Sequence, residues 1–374
     1  MNKLKVIDLF AGCGGLSLGF KKAGVDVVAH VEIDNKCCET LKSNAAPHEL
    51  IINADITDHS SYMPELLKRF PGNVDGIIGG PPCQAYSIAG RINAKNKMHE
   101  DPRNFLFESF THNLKTMSPK FFLFENVVGM LSARPFGLDV NKQIRDSFNR
   151  SNYSVMENFR DCVFDMSKFG VPQRRKRVII FGVNKSKFDD HKSIVEGFYS
   201  RMRQINIGPK TVRDAIADLP KIFPNEGGKH SHAATVEFSE HEPRFHNERD
   251  IKIFKLLASD IETGTNKYSS TESIRELYAR KTGKRSAVHK YHVLRWDEPS
   301  NTIPAHLYKD GLRHIHPDSD QARSITVREA SRLMTFPDSY VLNGAKGDKY
   351  KMLGNAVPPE FAKLIAANLK EVFN

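Results

Sequence analysis

Between Lys5 and Val183 the chain alternates short runs of β-branched and aromatic residues with longer amphipathic ones, and this alternation restricts the fold more than any other feature. Lys5-Val6-Ile7-Asp8-Leu9-Phe10 reads as a buried strand and Ala11-Gly12-Cys13-Gly14-Gly15 as a turn. Leu16, Leu18, Phe20 and Ala23 then form the apolar side of a helix that Gly24 ends. The pattern continues with strand 25–31 running into Glu32-Ile33-Asp34, helix 35–44, strand 51–55, helix 64–70 and strand 74–78. Helix 104–117, strand 121–124, helix 140–149, strands near Tyr153–Phe164 and strand 177–183 complete it. Strand–helix–strand connections of this length make parallel pairs with helices on both faces. The expected architecture is α/β, a Rossmann-like, doubly wound and mostly parallel sheet.

Past Asn184 the alternation lapses. From about 187 to 323 the chain is polar, with scattered Pro, Gly and His, which predicts a second, smaller and irregular domain. Order returns with a helix 327–334 capped by Thr326, then Phe336-Pro337-Asp338 and an amphipathic helix 360–372. We expect a catalytic domain of 1–186 plus 346–374 and a second domain of 187–345 that includes a hinge at 324–345. No apolar run approaches the roughly 18 residues of a membrane span, and Met1-Asn2-Lys3-Leu4-Lys5 leads straight into a strand without a signal peptide. The five cysteines, an odd number without a CxxC pair, point to free thiols in a reducing, cytoplasmic setting and to no metal site. Lys and Arg exceed Asp and Glu by 55 to 44, a net charge of +11 that suits a polyanionic partner.

Three constellations carry chemistry. Gly12, Gly14 and Gly15 occupy a strand-to-helix turn whose N–H groups can face a ligand. Glu32 follows at the end of the second strand and Asp55 at the end of the third, where carboxylates meet ribose hydroxyls and an exocyclic amine. Although the spacing departs from GxGxxG, the combination predicts an adenosine-bearing cofactor. The second constellation is Gly79-Gly80-Pro81-Pro82-Cys83-Gln84-Ala85-Tyr86-Ser87, in which the prolines aim the thiol of Cys83. An ordinary thiol, with pKa about 8.5, is only a few per cent thiolate at neutral pH, and Arg91, Lys95, Lys97 and Arg103 supply nearby cations. Glu125 follows the next strand, so it and Cys83 would project from one sheet edge into one crevice. A thiol beside a carboxyl suits attack on an electron-poor ring, with the acid serving a ring nitrogen.

The third constellation is Gln173-Arg174-Arg175-Lys176-Arg177. Strand alternation puts Arg175 and Arg177 on one face, toward the crevice, and Arg174 and Lys176 on the other, toward a phosphate backbone. A weaker feature interleaves cations with rings at Lys267, Tyr268, Arg275, Tyr278, Arg280, Lys281, Lys284, Arg285, Lys290, Tyr291, Arg295 and Trp296, which suits a nucleic-acid surface.

These blocks stand in the order Asp8–Gly15, Gly80–Gln84, Glu125–Val127, Gln173–Arg177, Arg332–Asp338 and Gly354–Val357, and in that order the chain resembles the DNA (cytosine-5)-methyltransferases of bacterial restriction–modification systems. The resemblance covers the chain except most of 187–323. It implies a class I S-adenosylmethionine-dependent fold and the cofactor S-adenosylmethionine, released as S-adenosylhomocysteine, with no metal. It places Phe10, Gly12, Gly14, Gly15, Leu16, Glu32, Ile33, Asp55, Ile56, Pro82, Asn355 and Ala356 around the cofactor. Cys83 would attack C6 of a flipped-out cytosine, Glu125 would hold N3 and the exocyclic amine, and Arg177 with Arg175 would hold O2 and the adjoining phosphate. Gln84, Ser87, Arg91, Arg103 and Thr302 would touch DNA, the 84–103 stretch as a catalytic loop. The partners so implied are double-stranded DNA and a separately acting restriction endonuclease, with the protein a monomer. An RNA cytosine-5 methyltransferase on the same scaffold is the alternative, against which the sizeable variable domain speaks. A zinc deaminase would need PCxxC, and Tyr86 stands where its second cysteine belongs.

Overall fold

The computed structural model describes residues 3–82, 106–134, 137–225, 230–283, 291–309 and 311–373. Strands β1 (Lys5–Leu9), β2 (Asp26–Glu32), β3 (Leu50–Asn53), β4 (Gly76–Gly79) and β5 (Phe121–Val127) run parallel. They alternate with helices α1 (Gly15–Lys22), α2 (Asn35–Asn44), α3 (Met63–Arg69) and α4 (Leu106–Met117). Helix α5 (Val140–Arg150) precedes β6 (Tyr153–Ser154), β7 (Val163–Asp165) and β8 (Lys176–Asn184). The sheet order is β3-β2-β1-β4-β5-β8-β6, with β8 antiparallel to β5 and β7 lying on β8. The inner strands are buried along nearly their whole length because helices cover both faces, which is why they read as continuous apolar runs.

The winding reverses at β1. From there the chain moves outward to β2 and β3, then returns past β1 to β4 and β5, which opens a crevice at the carboxyl ends of β1 and β4. Register aligns Leu9 with Val31 and Gly79, Gly79 with Phe124, and Glu32 with Asn53. Phe10, Glu32, Gly80 and Glu125 therefore stand side by side along one edge of the sheet, Glu125 still within β5.

The elements differ from the sequence expectation in several places: β5 runs on through Glu125 to Val127, so that acid lies in the strand and not after it, and 346–355 is helical. The third strand stops at Asn53, because Asp55 turns back to accept from Thr57 N at 2.9 Å. Phe10 lies outside β1, with φ 57 in the left-handed region that starts the turn. Beyond residue 187 the chain is more regular than its composition suggests. It holds α6 (His191–Gln204), α7 (Val212–Ile216), a hairpin of β9 (Ile222–Pro224) and β10 (His232–Ala234), α8 (Glu248–Glu262) and α9 (Thr271–Thr282). Of these, α6 inserts Val195, Phe198, Tyr199 and Met202 into the core of the sheet.

A second apolar cluster joins α7 to α10 (Val327–Leu333) and α11 (Lys346–Asn355) through Ile216, Ile303, Leu333, Phe336 and Leu353. A third packs α8 and α9 around Tyr291. The last helix, α12 (Pro359–Phe373), returns to the sheet beside α1. Among the described residues no helix is long and apolar enough to cross a membrane.

Candidate active site

At the β1 turn, Phe10, Gly12 and Gly14 all have positive φ (57, 54 and 79). The glycines divide the work. A Cβ on Gly12 would meet nothing within 4 Å, so this residue opens onto free space. On Gly14 it would lie 2.8 Å from Tyr340 Oη, and on Gly15 2.3 Å from Val357 O, so these two admit the C-terminal segment. Gly12 N donates to Glu32 Oε2 at 2.7 Å and Asp34 N to Glu32 Oε1 at 2.9 Å. Burial pushes the Glu32 carboxyl above its ordinary value, and the two N–H donors partly offset this. Asn53 Nδ2 ties the next strand to the carbonyls of Glu32 and Ile33, both at 3.0 Å.

Ile33 is 64% exposed beside this acid, while Ile56 and Leu16 are buried and Asp55 is exposed. A free-standing apolar side chain, an open glycine cradle and a strand-end carboxylate make a donor set that fits an adenosyl group: a flat base against Ile33 and a hydroxyl donating to Glu32.

Across the switch point, the chain after β4 is drawn against β5. A Cβ on Gly80 would sit 2.8 Å from Glu125 Oε2, so only glycine admits the carboxylate. Asn126 Nδ2 donates to Pro81 O at 3.3 Å and fixes the first proline. Glu125 Oε1 is 2.8 Å from Arg177 Nε, both side chains largely buried, and Arg177 Nη1 also donates to Lys176 O at 2.8 Å. The two residues meet because β5 and β8 are antiparallel neighbours, with Val127 opposite Arg177. The description reaches Pro82; Cys83, Gln84, Ser87, Arg91 and Arg103 lie outside the described residues, as do Lys95, Lys97, Lys284, Arg285 and Lys290.

Arg175 departs from its expected place. It is fully buried, with its guanidinium donating to Gly354 O and Ala356 O at 2.9 Å and to Ile303 O at 3.4 Å. It precedes β8, so the strand alternation that pairs it with Arg177 does not yet apply. Its role is to bolt the Gly354–Ala356 turn to the segment around Ile303. Arg174 is exposed and pairs with Glu298 at 2.5 Å, while Thr302 Oγ1 donates to Arg174 O at 2.6 Å. Asn355 is exposed at the end of α11.

The interleaved rings also depart from expectation. Tyr291 is buried, and Tyr268 and Tyr278 pack against the same apolar cluster, where the rings join Ile253, Leu257 and Leu277 in the small core shared by α8 and α9. Trp296 is half-buried between Arg213 and His316.

Two contributors had no role assigned from sequence: Gln173, named only as the start of its run, and Tyr340, not singled out. Gln173 is buried and accepts from Ile303 N at 3.2 Å. Tyr340 donates from Oη to Cys13 O at 2.5 Å, across 327 residues of sequence. Only the nearby Phe336-Pro337-Asp338 block pointed toward the second, and a block alone assigns no contact.

The sequence matches the C-5 cytosine-specific DNA methylase family over residues 4–371. A type II methyltransferase of Bacillus paralicheniformis is 33% identical, over 99% of this chain and 99% of its own. Another, of Desulfomicrobium norvegicum, is 31% identical over 99% of this chain and 89% of its own. A solved structure of a candidate DNA modification methyltransferase encoded within an E. coli prophage has a TM-score of 0.66 at 26% identity, with 100% of both chains covered. The reversal at β1, the glycine turn and the Glu125–Arg177 edge thus accompany a match that runs nearly end to end: the chain belongs to the C-5 cytosine-specific DNA methylases.

Proposed function

We propose that the protein methylates C5 of one cytosine within a specific duplex DNA sequence, through a transient covalent bond between Cys83 and C6. Membership of the family makes it an S-adenosylmethionine-dependent cytosine methyltransferase; the route and the site residues are our reading. The observation that carries it is the convergence of Gly80, Pro81, Glu125 and Arg177 at one sheet edge, immediately ahead of Cys83 in the chain.

S-adenosylmethionine, when bound, supplies an electrophilic methyl group on a sulfonium. Glu32 would hold its ribose, Ile33 and Phe10 its adenine, and the Gly12 opening its backbone-facing side, with Asp55, Ile56, Pro82, Asn355 and Ala356 completing the rim. Cys83, as thiolate, adds to C6 and moves an electron pair toward C5. Glu125 keeps N3 and the exocyclic amine hydrogen-bonded, so the charge that develops on the ring is met by a proton or a donor. Arg177 orients that carboxylate and offers its remaining N–H groups to O2. C5 would take the methyl group, leaving S-adenosylhomocysteine, and would then give its proton to water, since no side chain identifies itself as the base; the returning electron pair would expel Cys83 as thiolate.

Extruding the base costs a few kcal/mol, which contacts from both sides of the crevice must offset. We assign recognition to the part of 187–345 that follows α6, with 324–345 as the connection back to the unit formed by 1–186 and 346–374. Gln84, Ser87, Arg91, Arg103 and Thr302 are proposed DNA contacts, and a cognate restriction endonuclease is the proposed companion activity.

Trapping on a duplex containing 5-fluorocytosine tests the covalent step, because C5 then carries no proton to lose. Wild-type protein should give an adduct that survives denaturation and Cys83→Ser should give none. An equal adduct from both, or none from active wild type, removes Cys83 from its role. Bisulfite sequencing of DNA from cells expressing the protein reads the modified base and its sequence context together.

A further inference from the structure

The segment from Phe336 to Asn343 runs between α10 and α11 and supplies none of the groups assigned to the cofactor or the cytosine, yet its side chains close on the cofactor turn. Tyr340 Oη donates to Cys13 O at 2.5 Å, and burial holds the phenol well above its ordinary pKa, so it remains a donor. The Phe336 ring stands 3.1 Å from where a Gly15 Cβ would be and 5.0 Å from the Tyr340 ring. Farther on, Asn44 exchanges hydrogen bonds with the Val341 backbone at 2.8 and 3.0 Å. Asn343 Nδ2 donates to Glu39 O at 3.1 Å and Ser43 Oγ at 2.9 Å. The segment thus ties the turn to α2, the helix that follows Glu32.

We propose that Tyr340 is a positioning residue for S-adenosylmethionine, and that the 336–343 segment is a brace that pre-forms the cofactor turn. The turn needs one. Three of its residues between Phe10 and Gly14 have positive φ, one of them not glycine, a backbone that a free chain populates poorly. Strand pairing holds its start through Ala11 N to Val31 O, and Glu32 holds Gly12 N. Tyr340 holds the next carbonyl, at Cys13, and so sets which way the peptide planes on either side of it face. The brace is itself anchored at its start, where Arg328 and Arg332 bond Asp338 and Arg332 also reaches Asp218 at 2.6 Å.

This inference rests on the cofactor assignment above. The test titrates S-adenosylhomocysteine into the full-length protein by calorimetry, beside steady-state kinetics and duplex binding. Tyr340→Phe keeps the ring against Phe336 and removes only the hydroxyl. Its S-adenosylhomocysteine Kd should rise roughly tenfold, the range expected for leaving a buried carbonyl without its donor. KM for S-adenosylmethionine should rise alike, while kcat and duplex affinity stay within about twofold, a split that general loosening of the fold does not give. Asn343→Ala, which unties the brace from α2 outside the site, should weaken S-adenosylhomocysteine several-fold and carries the test if Tyr340→Phe does not fold. Unchanged affinity in a folded variant, or a loss confined to kcat, overturns the proposal. Wild-type protein that does not bind S-adenosylhomocysteine overturns the cofactor assignment, and the brace with it.

Discussion

The Glu125 carboxylate lies 2.8 Å from Arg177 Nε across two antiparallel strands, and neither side chain keeps much contact with solvent. A charge-assisted bond in such a place orients a carboxylate firmly, and its loss leaves a charge without a partner. Arg177→Met should therefore lower unfolding free energy by roughly 3 kcal/mol in urea denaturation. Adding Glu125→Gln to it should restore most of that loss while leaving the enzyme inactive. Glu125→Gln alone should fold and lose about a hundredfold or more in kcat, the usual worth of a positioned acid. A double variant as unstable as the single one would mean that the pair does not hold the site together.

Gly80→Ala tests the same carboxylate from its other side. A methyl group 2.8 Å from Glu125 Oε2 must push the carboxylate toward Arg177 or tilt it off the ring it serves. Overpacking of this size costs about 1–2 kcal/mol in stability. We expect the larger effect on turnover, a fall in kcat of about tenfold or more from misplacing a reacting group. Thermal melting and single-turnover methylation separate the two.

Arg175 and Arg177 are two residues apart and should fail differently. Arg175→Met strands three backbone carbonyls, those of Ile303, Gly354 and Ala356, in a buried place. The expected result is a loss of roughly 3 kcal/mol in unfolding free energy, with kcat at saturating cofactor nearly intact. If kcat falls in Arg175→Met while the urea midpoint stays put, Arg175 reaches the substrate after all.

The inner sheet was readable in the sequence because β1, β2, β4 and β5 are buried on both faces, so local composition carries the tertiary environment. Asp26–Glu32 and Phe121–Val127 show this, with Glu32 and Glu125 as the acids at or near their carboxyl ends. Arg175 was not readable. Its three partners are 128 to 181 residues away, and alternation predicts a face only once a strand has begun. Tyr291 failed for a related reason: a ring among lysines and arginines looks alike in sequence whether it faces a phosphate or fills a small core. Tyr340 marks the furthest limit, since a hydrogen bond to a main-chain carbonyl leaves no trace in residue type at either end.

The last prediction concerns Asp8, which is buried in β1 beneath the cofactor turn. It is hydrogen-bonded to Ser17, Ser17 Oγ lies 3.3 Å from His30 Nδ1, and His30 Nε2 lies 2.9 Å from Glu49 Oε2. Burial would raise the Glu49 carboxyl, but the His30 contact, the Ala46 N–H and Lys21, which closes the chain on Glu49 at 2.9 Å, outweigh it and hold that carboxyl down at about 2, so Glu49 is an acceptor at neutral pH. Burial keeps His30 neutral, so its one proton sits on Nε2, facing Glu49, and Nδ1 accepts from Ser17. Ser17 Oγ is then free to accept from a protonated Asp8, and the chain of donors runs one way from end to end. Burial, the largest influence, accordingly pushes Asp8 up to about 7. The folded state favours the protonated acid, so this group's contribution is fully present below the ordinary carboxyl pKa and is lost as pH rises toward about 7. Asp8→Asn keeps a permanent donor toward Ser17 and removes that dependence. Between about pH 5 and about pH 8 the variant should gain roughly 3 kcal/mol of unfolding free energy relative to wild type, read from urea curves at each pH. A difference between the two proteins that stays constant across this range would show that Asp8 is ionised throughout and that the donor chain runs the other way.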